Sequence, residues 1–240
     1  MSIFYREKNY IKLLSEREYS VKELSEKLFI SEPTVRRDII SLKKKDMVIS
    51  NRGIVSLKSK YADQRIPLFI RNDEYVEAKK EIALKAISLI KDGDVIMLDA
   101  STTAYHILPH LVNYKNLFVI TNGAKTAIEL AAMGIKTICT GGELTMESFS
   151  YIGTDSEELL KKYNADISFF SCRGLTEDGL ATDNSILENS IRKIMIQNSK
   201  KSYLLCDKSK VGKKYLNTLC NTKEITGIIT DGTFVSKSNL

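Results

Sequence analysis

The chain has 240 residues, 43% of them hydrophobic, and a net charge of +6, which leaves room for one small and one larger domain. No apolar stretch approaches the length of a membrane span and the charged N-terminus is not typical of a signal peptide, so we expect a cytoplasmic protein without a membrane partner. No C-x-x-C pair occurs, and we expect four small, buried, reduced cysteines rather than disulfides or a zinc site: Cys139, Cys172, Cys206 and Cys220.

Three helices are predicted at the start of the chain. They span about residues 2–17, residues 21–28 and a stretch beginning at Ser31. Ser31 is a suitable N-cap, because its hydroxyl can accept from the free amides of the first turn. Apolar residues at i, i+4 and i+7 give the third helix one buried stripe, formed by Val35, Ile39 and Leu42. Two short helices joined by a tight connection predict a helix-turn-helix, whose second helix reads DNA.

The opposite face of the third helix is polar and basic. Its adjacent arginines suit phosphate or a bidentate contact with guanine, although a solvated cationic face is the ordinary alternative. Two apolar runs around residues 51–53 predict a β-hairpin, a wing whose tip touches the DNA backbone. Ile40 also lies near the open face, where it either meets a thymine methyl or packs beneath the wing. The predicted DNA contacts are Ser31, Thr34, Arg36, Arg37, Ser41, Lys44 and Arg52.

The excess positive charge lies entirely in this segment. Residues 1–60 contain 14 Lys and Arg against 8 Asp and Glu, whereas residues 61–240 contain 22 of each kind. A local basic excess is typical of a nucleic-acid-binding domain.

From residue 94 onward, short apolar runs alternate with helical patterns. The predicted strands are 95–98, 117–120, 137–139, 167–170, 203–206 and 228–229. The predicted helices are 103–111, 124–132, 156–162 and 184–199. This alternation predicts a Rossmann-like α/β domain with a mainly parallel sheet. We therefore predict a small α+β winged helix-turn-helix domain at 1–57, a linker and lead-in at 58–73, and the α/β domain at 74–240.

Residues 21–28, Ser31 and the run Thr34-Val-Arg-Arg-Asp-Ile39 resemble the N-terminal signature of the DeoR/GlpR family of bacterial transcription regulators. The wing departs from the family pattern, which usually has His-Gly-Gly where this chain has Asn51-Arg-Gly-Ile54. The resemblance extends from about residue 3 to residue 232. It implies a helix at 74–90, whose pattern is formed by Ala78, Ile82, Lys85-Ala86 and Leu89. It also implies a C-terminal domain that resembles ribose-5-phosphate isomerase and senses a phosphorylated sugar.

Ligands of open α/β sheets bind beyond the carboxyl ends of the strands. At the first such end, the hydroxyls of residues 101–103 begin a helix and suit a phosphate, although Ser-Thr-Thr is also an ordinary helix cap. The family has Asp-x-Gly-Thr-Thr here, with Ser101 replacing the glycine. The other strand ends, the loop at 174–179 with the helix after it, and the Asp-x-Ser-Lys run at 207–210 also resemble the family's sensor domain. The effector-binding residues that the resemblance implies are Asp99, Ser101, Thr102, Thr103, Thr121, Asn122, Gly141, Gly142, Arg173, Gly174, Asp183, Glu188, Asp207 and Lys210.

Within this set, Lys210 and Arg173 would neutralise phosphate, while Asp99, Asn122 and Asp183 would bond sugar hydroxyls. For each acidic residue, a helix cap or a surface charge is the ordinary alternative. Arg192-Lys193 lie on a long predicted helix, where we expect them to be solvated or at an interface.

The leading hypothesis is a repressor of a carbohydrate operon that binds operator DNA as a homodimer or homotetramer and is controlled by a sugar phosphate. No cofactor is expected. His106 and His110 have a metal-ligand spacing, but no third ligand lies nearby and Pro109 strains the segment, so we expect no metal. The alternatives are an isomerase with Asp99, Asp183 or Glu188 as its base, and an architectural DNA-binding protein with an inert α/β domain.

Overall fold

The computed structural model describes residues 3–45, 47–58 and 68–232. The chain divides between Arg71 and Asn72 into two compact units, each with its own core. No helix within the described ranges is long and apolar enough to cross a membrane. Residues 59–67, which include most of the predicted linker, lie outside the described residues.

The first unit, called the reader unit below, is a winged helix-turn-helix, as predicted. It contains α1 (Ile3–Glu16), β1 (Tyr19–Ser20), α2 (Val21–Leu28), α3 (Glu32–Lys44), β2 (Val48–Asn51) and β3 (Ile54–Leu57). The strands form an antiparallel sheet in the order β1-β3-β2. The three predicted stripe residues of α3 are buried beside Tyr10 and Leu24. This core fixes which face of α3 remains open to solvent.

The second unit, called the sensor unit below, is an α/β domain that follows helix α4 (Leu68–Asp73). Its helices are α5 (Val76–Ile87), α6 (Thr102–Tyr105), α7 (Leu108–Leu111), α8 (Ala124–Ala132), α9 (Thr154–Leu160) and α10 (Ile186–Gln197). The main strands are β4 (Val95–Leu98), β5 (Phe118–Thr121), β6 (Lys136–Cys139), β9 (Ala165–Ser171), β12 (Ser199–Leu205) and β14 (Gly227–Ile229). The short strands are β7 (Glu143–Leu144), β8 (Tyr151–Ile152), β10 (Gly174–Leu175), β11 (Leu180–Asp183) and β13 (Asn217–Asn221).

The six main strands form one parallel sheet in the order β14-β12-β9-β4-β5-β6, which confirms the predicted fold class. Ile96 and Leu98 pack on one face of the sheet, whereas Met97 packs on the other beside α10. Burial on both faces explains why these strands are continuous apolar runs. Their carboxyl ends meet at one edge and bring polar loops together.

Two helix predictions were wrong in detail. The predicted helix 103–111 is two single turns, α6 and α7, because Pro109 has no N–H and its ring would clash with the preceding turn of a continuous helix. The predicted helix 74–90 is the shorter α5, in which Ile82, Ala83 and Ala86 are buried and Lys85 is exposed. Leu89 lies beyond the end of α5 and is exposed.

Two small β elements were not predicted. Strands β10, β11 and β13 form an antiparallel sheet, and β7 pairs with β8 in a hairpin. These strands are two to five residues long and lack a continuous apolar run, so they carry little sequence signal. Both elements support residues of the sensor site.

Candidate functional site

The helix-turn-helix is held by contacts that its sequence only partly indicates. Ser20 and Glu23 form a reciprocal capping box at the start of α2. Phe29, which is 93% exposed, ends α2 in the left-handed conformation. Ser31 is the N-cap of α3, but its hydroxyl lies 3.0 Å from the Thr34 hydroxyl and caps no amide, so the predicted capping bond was wrong.

An ion pair on the buried side of α3 fixes its orientation. Asp38 is 1% exposed and accepts from Arg6 at 2.8 and 3.2 Å and from the Tyr10 hydroxyl at 3.4 Å. Burial first, and the Asp38 charge next, raise the pKa of Tyr10, so the phenol stays a neutral donor. The sequence analysis did not single out Asp38, since an acidic residue in a basic helix is usually at the surface.

The open face of α3 carries the side chains predicted to contact DNA. Arg36 and Arg37 are exposed, and Arg36 Nη2 pairs with Glu32 Oε2 at 3.3 Å. Within the described parts of the chain, Arg37 has no carboxylate partner. Lys44 is exposed, whereas Thr34 and Ser41 are half-buried. The face is therefore basic and accessible over three turns.

The wing is a tight hairpin with a basic tip. Asn51 pairs with Ile54, which leaves a two-residue turn in which Arg52 has φ 48° and Gly53 has φ 81°. Positive φ at both positions matches the twist of a two-residue hairpin, and Gly53 meets this requirement without strain. Lys43 donates to the Ser50 carbonyl at 3.2 Å and ties the wing to the end of α3.

In the sensor unit, Arg192 lies at the centre of the polar cluster, contrary to our expectation that it is solvated or interfacial. Its side chain is 8% exposed. Nε lies 3.0 Å from Asp99 Oδ2, Nη1 lies 2.9 Å from Asp183 Oδ2, and Nη2 lies 3.1 Å from Glu188 Oε2. Burial alone would lower the pKa of Arg192, but the three carboxylates raise it above its ordinary value. The neighbouring Lys193 is exposed, as expected.

Each carboxylate of this cluster has further partners. Asp99 accepts from the backbone amides of Ser101 and Ser171, both at 3.1 Å. Asp183 accepts from the amide of Asn184 at 2.7 Å, and Arg173 Nε lies 3.4 Å from the same oxygen. These bonds tie Arg192 to the ends of β4, β9 and β11.

Glu188 connects the cluster to hydroxyl groups that the sequence analysis missed. Its Oε1 accepts from Ser148 at 2.6 Å and from Ser150 at 2.9 Å. Thr145 joins the two serines through contacts of 2.6 and 3.0 Å. Serine and threonine in a predicted loop gave no signal, because only the fold brings that loop to α10.

Lys210 forms a second, more open cationic position. Its Nζ lies 2.8 Å from Ser171 Oγ, 3.4 Å from Thr103 Oγ1 and 3.3 Å from Asp207 Oδ2, and its side chain is 19% exposed. Burial would raise the pKa of Asp207, but Lys210 and Ser209 together lower it. Lys210, Ser171 and Thr103 therefore lie together at the ends of three elements.

The predicted 101–103 loop is stabilised by its own hydrogen bonds. The Ser101 hydroxyl accepts from the Ala104 amide at 3.1 Å, which is the cap contact considered as the ordinary alternative. Thr102 and Thr103 are buried. The loop joins the cluster through Asp99 and Lys210.

The ends of β5 and β6 are closely packed. Thr121 is buried, and its hydroxyl accepts from the Gly123 amide at 3.0 Å. The Asn122 side chain donates to the Tyr151 carbonyl at 3.1 Å, while its Oδ1 has no partner among the described residues. Gly141 has φ 66°, and Gly142 has φ 102° with no space for a Cβ, which would lie 2.7 Å from the Ile152 carbonyl. Gly174 has no such space either.

The cysteines and histidines form no metal site within the described residues. Cys172, Cys206 and Cys220 are buried, as predicted, whereas Cys139 is half-buried. Nδ1 of His106 bonds the Thr102 carbonyl at 2.8 Å, and burial is the main reason that the pKa of His106 is lowered. Over the described ranges, no three His, Cys, Asp or Glu side chains are grouped to hold a metal ion.

The winged helix-turn-helix and the α/β unit with a polar site at its sheet edge define a DNA-binding regulator with a sensor domain. Residues 6–60 match the DeoR-like helix-turn-helix domain, and residues 74–232 match the DeoR C terminal sensor domain. The chain belongs to the DeoR family of transcriptional regulators.

Three related proteins align over most of their length. The transcriptional regulator GolR of Listeria innocua is 35% identical over 95% of this chain and 90% of its own length. The lactose phosphotransferase system repressor of Staphylococcus epidermidis is 30% identical over 90% of this chain and 86% of its own length. The L-fucose operon activator of Escherichia coli is 30% identical over 94% of this chain and 93% of its own length.

A solved structure shares the sensor fold. The eIF2B delta structure from Chaetomium thermophilum aligns with a TM-score of 0.50 and 20% identity, covering 69% of this chain and 60% of that chain. At this identity the likeness concerns the fold alone.

Proposed function

We propose that the protein is a repressor of a carbohydrate operon whose operator binding is controlled by a phosphorylated sugar in the sensor unit. The observation that carries this proposal is the pair of partly exposed cations, Lys210 and Arg173, at the carboxyl ends of the parallel strands. The names of two relatives, a lactose-system repressor and a fucose-operon activator, support a carbohydrate effector.

The phosphate is assigned to the Lys210 side of the site. The Lys210 ammonium lies between the hydroxyls of Ser171 and Thr103, and a cation with two hydroxyls suits a phosphate group. Arg173 makes one long ion pair, and its side chain is 26% exposed, so its remaining donors are accessible. Arg192 is less suitable, because three carboxylates already occupy its donors.

Sugar hydroxyls would then face the Asn122 and Glu188 side. Asn122 has a buried oxygen without a partner among the described residues, and an unpaired buried acceptor favours a donor from a ligand or water. Both oxygens of Asp99 already accept from protein groups. We therefore assign Asp99 the role of holding Arg192, rather than direct contact with the sugar.

We infer that the protein is a regulator without isomerase activity. Such an isomerase needs a carboxylate free to remove a proton from the substrate carbon. All three nominated bases, Asp99, Asp183 and Glu188, bond to Arg192. Measurable conversion of ribose 5-phosphate that Asp183→Asn abolishes would contradict this inference.

The test of the sensor proposal is thermal unfolding of the full chain with pentose 5-phosphates, hexose 6-phosphates and their unphosphorylated forms. We expect one phosphorylated sugar to raise the melting temperature, because a ligand that binds only the native state stabilises it by mass action. Lys210→Gln should abolish this shift, and the matched control Lys208→Gln should retain it. Equal shifts with the unphosphorylated sugar would contradict phosphate recognition.

The DNA half is tested separately by fluorescence anisotropy on operator DNA. We propose binding as a homodimer or homotetramer, since one helix-turn-helix reads one half-site of a symmetric operator. Affinity should fall with added salt, because basic side chains displace counterions from phosphates. Addition of the effector should weaken binding by a repressor, and stronger binding would indicate an activator. We place this activity in the cytoplasm, where a bacterial operator is found.

A further inference from the structure

Exposed apolar side chains surround the start of α10 in the sensor unit. Met146 and Leu216 are each 86% exposed, and Ile186 is 65% exposed. We call the set the apolar rim, and its six members are Leu144, Met146, Phe149, Ile186, Leu187 and Leu216. Exposed apolar patches of several hundred Å² often mark an interaction site.

The rim belongs to three segments that hydrogen bonds bring together. Ser148, in the loop after β7, donates to Glu188 in the first turn of α10 at 2.6 Å. Asn217, at the start of β13, donates from Nδ2 to the Asn184 carbonyl at 2.9 Å. Residues 144–149 and 216 are therefore both anchored within a few residues of 186–187, which brings the three segments of the rim together.

The patch is large enough for a specific interface. The exposed fractions of its six members add up to between three and four fully exposed side chains, which is on the order of several hundred Å² of apolar surface. A stable interface buries roughly 800 Å² per partner, of which somewhat more than half is non-polar. The apolar rim alone therefore supplies the non-polar area of such an interface.

The charges beside the rim are self-complementary. Lys213 and Lys214 are exposed on the segment that leads to Leu216, and Glu143 is exposed on the β7–β8 hairpin. In a two-fold symmetric contact each copy presents both segments, so the lysines of one copy can face the glutamate of the other. An isologous partner with the same surface fits this arrangement.

We propose that the apolar rim is the surface at which two copies of this chain meet. A polar phosphosugar has no use for six apolar side chains, whereas a symmetric operator requires a second reader unit. Glu188 accepts hydrogen bonds from Arg192 and from Ser148, which lies in the loop between Met146 and Phe149 of the rim. A ligand that alters the sensor cluster therefore also alters the dimer surface. This coupling rests on the proposed function, but dimerisation itself does not.

The experiment is sedimentation velocity on the full chain from 1 to 100 μM, without DNA or sugar. We expect the wild type to associate, and Met146→Asp and Leu216→Asp to raise the dissociation constant at least tenfold, because a charge is buried without a partner. Ile128→Asp is the matched control, since Ile128 is 71% exposed on α8, outside the rim segments. It should associate like the wild type.

A charge exchange tests the two-fold arrangement. Glu143→Lys and Lys214→Glu should each weaken association, and the double variant should restore it. A wild type that stays monomeric throughout, or rim variants with normal circular dichroism that associate like the wild type, would overturn the proposal. Failure of sugar or DNA binding would leave the association unchanged, so the two proposals can fail independently.

Discussion

Arg192 Nε lies 3.0 Å from Asp99 Oδ2 and joins α10 to the end of β4, 93 residues earlier in the chain. The same guanidinium holds Asp183 and Glu188, so one buried cation is paired with three carboxylates. Buried charges persist only when they are paired and hydrogen-bonded. The sensor cluster is therefore organised around Arg192.

Removal of this cation should strongly destabilise the sensor unit. We expect Arg192→Met to lower the free energy of unfolding by about 3–5 kcal/mol, since it removes the cation that three closely spaced carboxylates share. Urea unfolding of the full chain at pH 7 measures the loss. Lys193→Met makes the same change at the exposed neighbouring position and should have little effect. Similar losses in both variants would disprove the assigned role.

The wrong prediction for Arg192 shows which features the sequence does not reveal. Apolar runs predict the strands and the sheet, because burial on both faces requires them. Strand ends then predict Asp99 and Asp207, since polar residues after parallel strands meet at one edge. Asp183 was predicted from the family resemblance, because its strand β11 carries little sequence signal. A charged side chain on a helix is usually solvated, and only the contact between α10 and the strand ends places Arg192 inside. Asp38 was missed for the same reason.

The capping box of α2 should make the stability of the reader unit depend on pH. The Ser20 amide first, and then Arg17 and the Ser20 hydroxyl, lower the pKa of Glu23 from 4.5 to about 2. A carboxylate whose pKa is lowered in the folded state stabilises the protein at pH values above its ordinary, unfolded-state pKa. This stabilisation is lost as the pH falls through the folded-state pKa. Glu23→Gln should therefore cost stability at pH 6, and this cost should shrink toward pH 2.

Circular dichroism melts of the full chain between pH 2.5 and 6 measure this difference. Glu26→Gln, at an exposed position of the same helix, is the matched control. If the Glu23→Gln and wild-type melting temperatures stay parallel over the whole pH range, the capping carboxylate is not responsible.

Arg37 should contribute to operator specificity more than Arg36. Arg36 must exchange its bond with Glu32 for one with DNA, whereas Arg37 has no carboxylate partner in the described part of the chain. We expect Arg37→Ala to lower operator affinity by about 1–3 kcal/mol if it contacts a base, with a smaller loss on random DNA. Anisotropy on both DNAs measures this, and Lys91→Ala in the sensor unit is the charge control. Equal losses on both DNAs would make Arg37 a phosphate contact.

Ile40 should recognise a thymine methyl group. Its side chain is 57% exposed on the reading face of α3, so it does not pack beneath the wing, which was the alternative. An apolar side chain contacts the thymine methyl in the major groove, and one buried methyl group is worth about 0.8 kcal/mol. Replacing the contacted thymine with uracil should weaken wild-type binding by a few fold. Ile40→Ala should bind thymine and uracil operators equally, because the methyl then has no partner. A uracil effect of the same size in Ile40→Ala would show that another residue makes the contact.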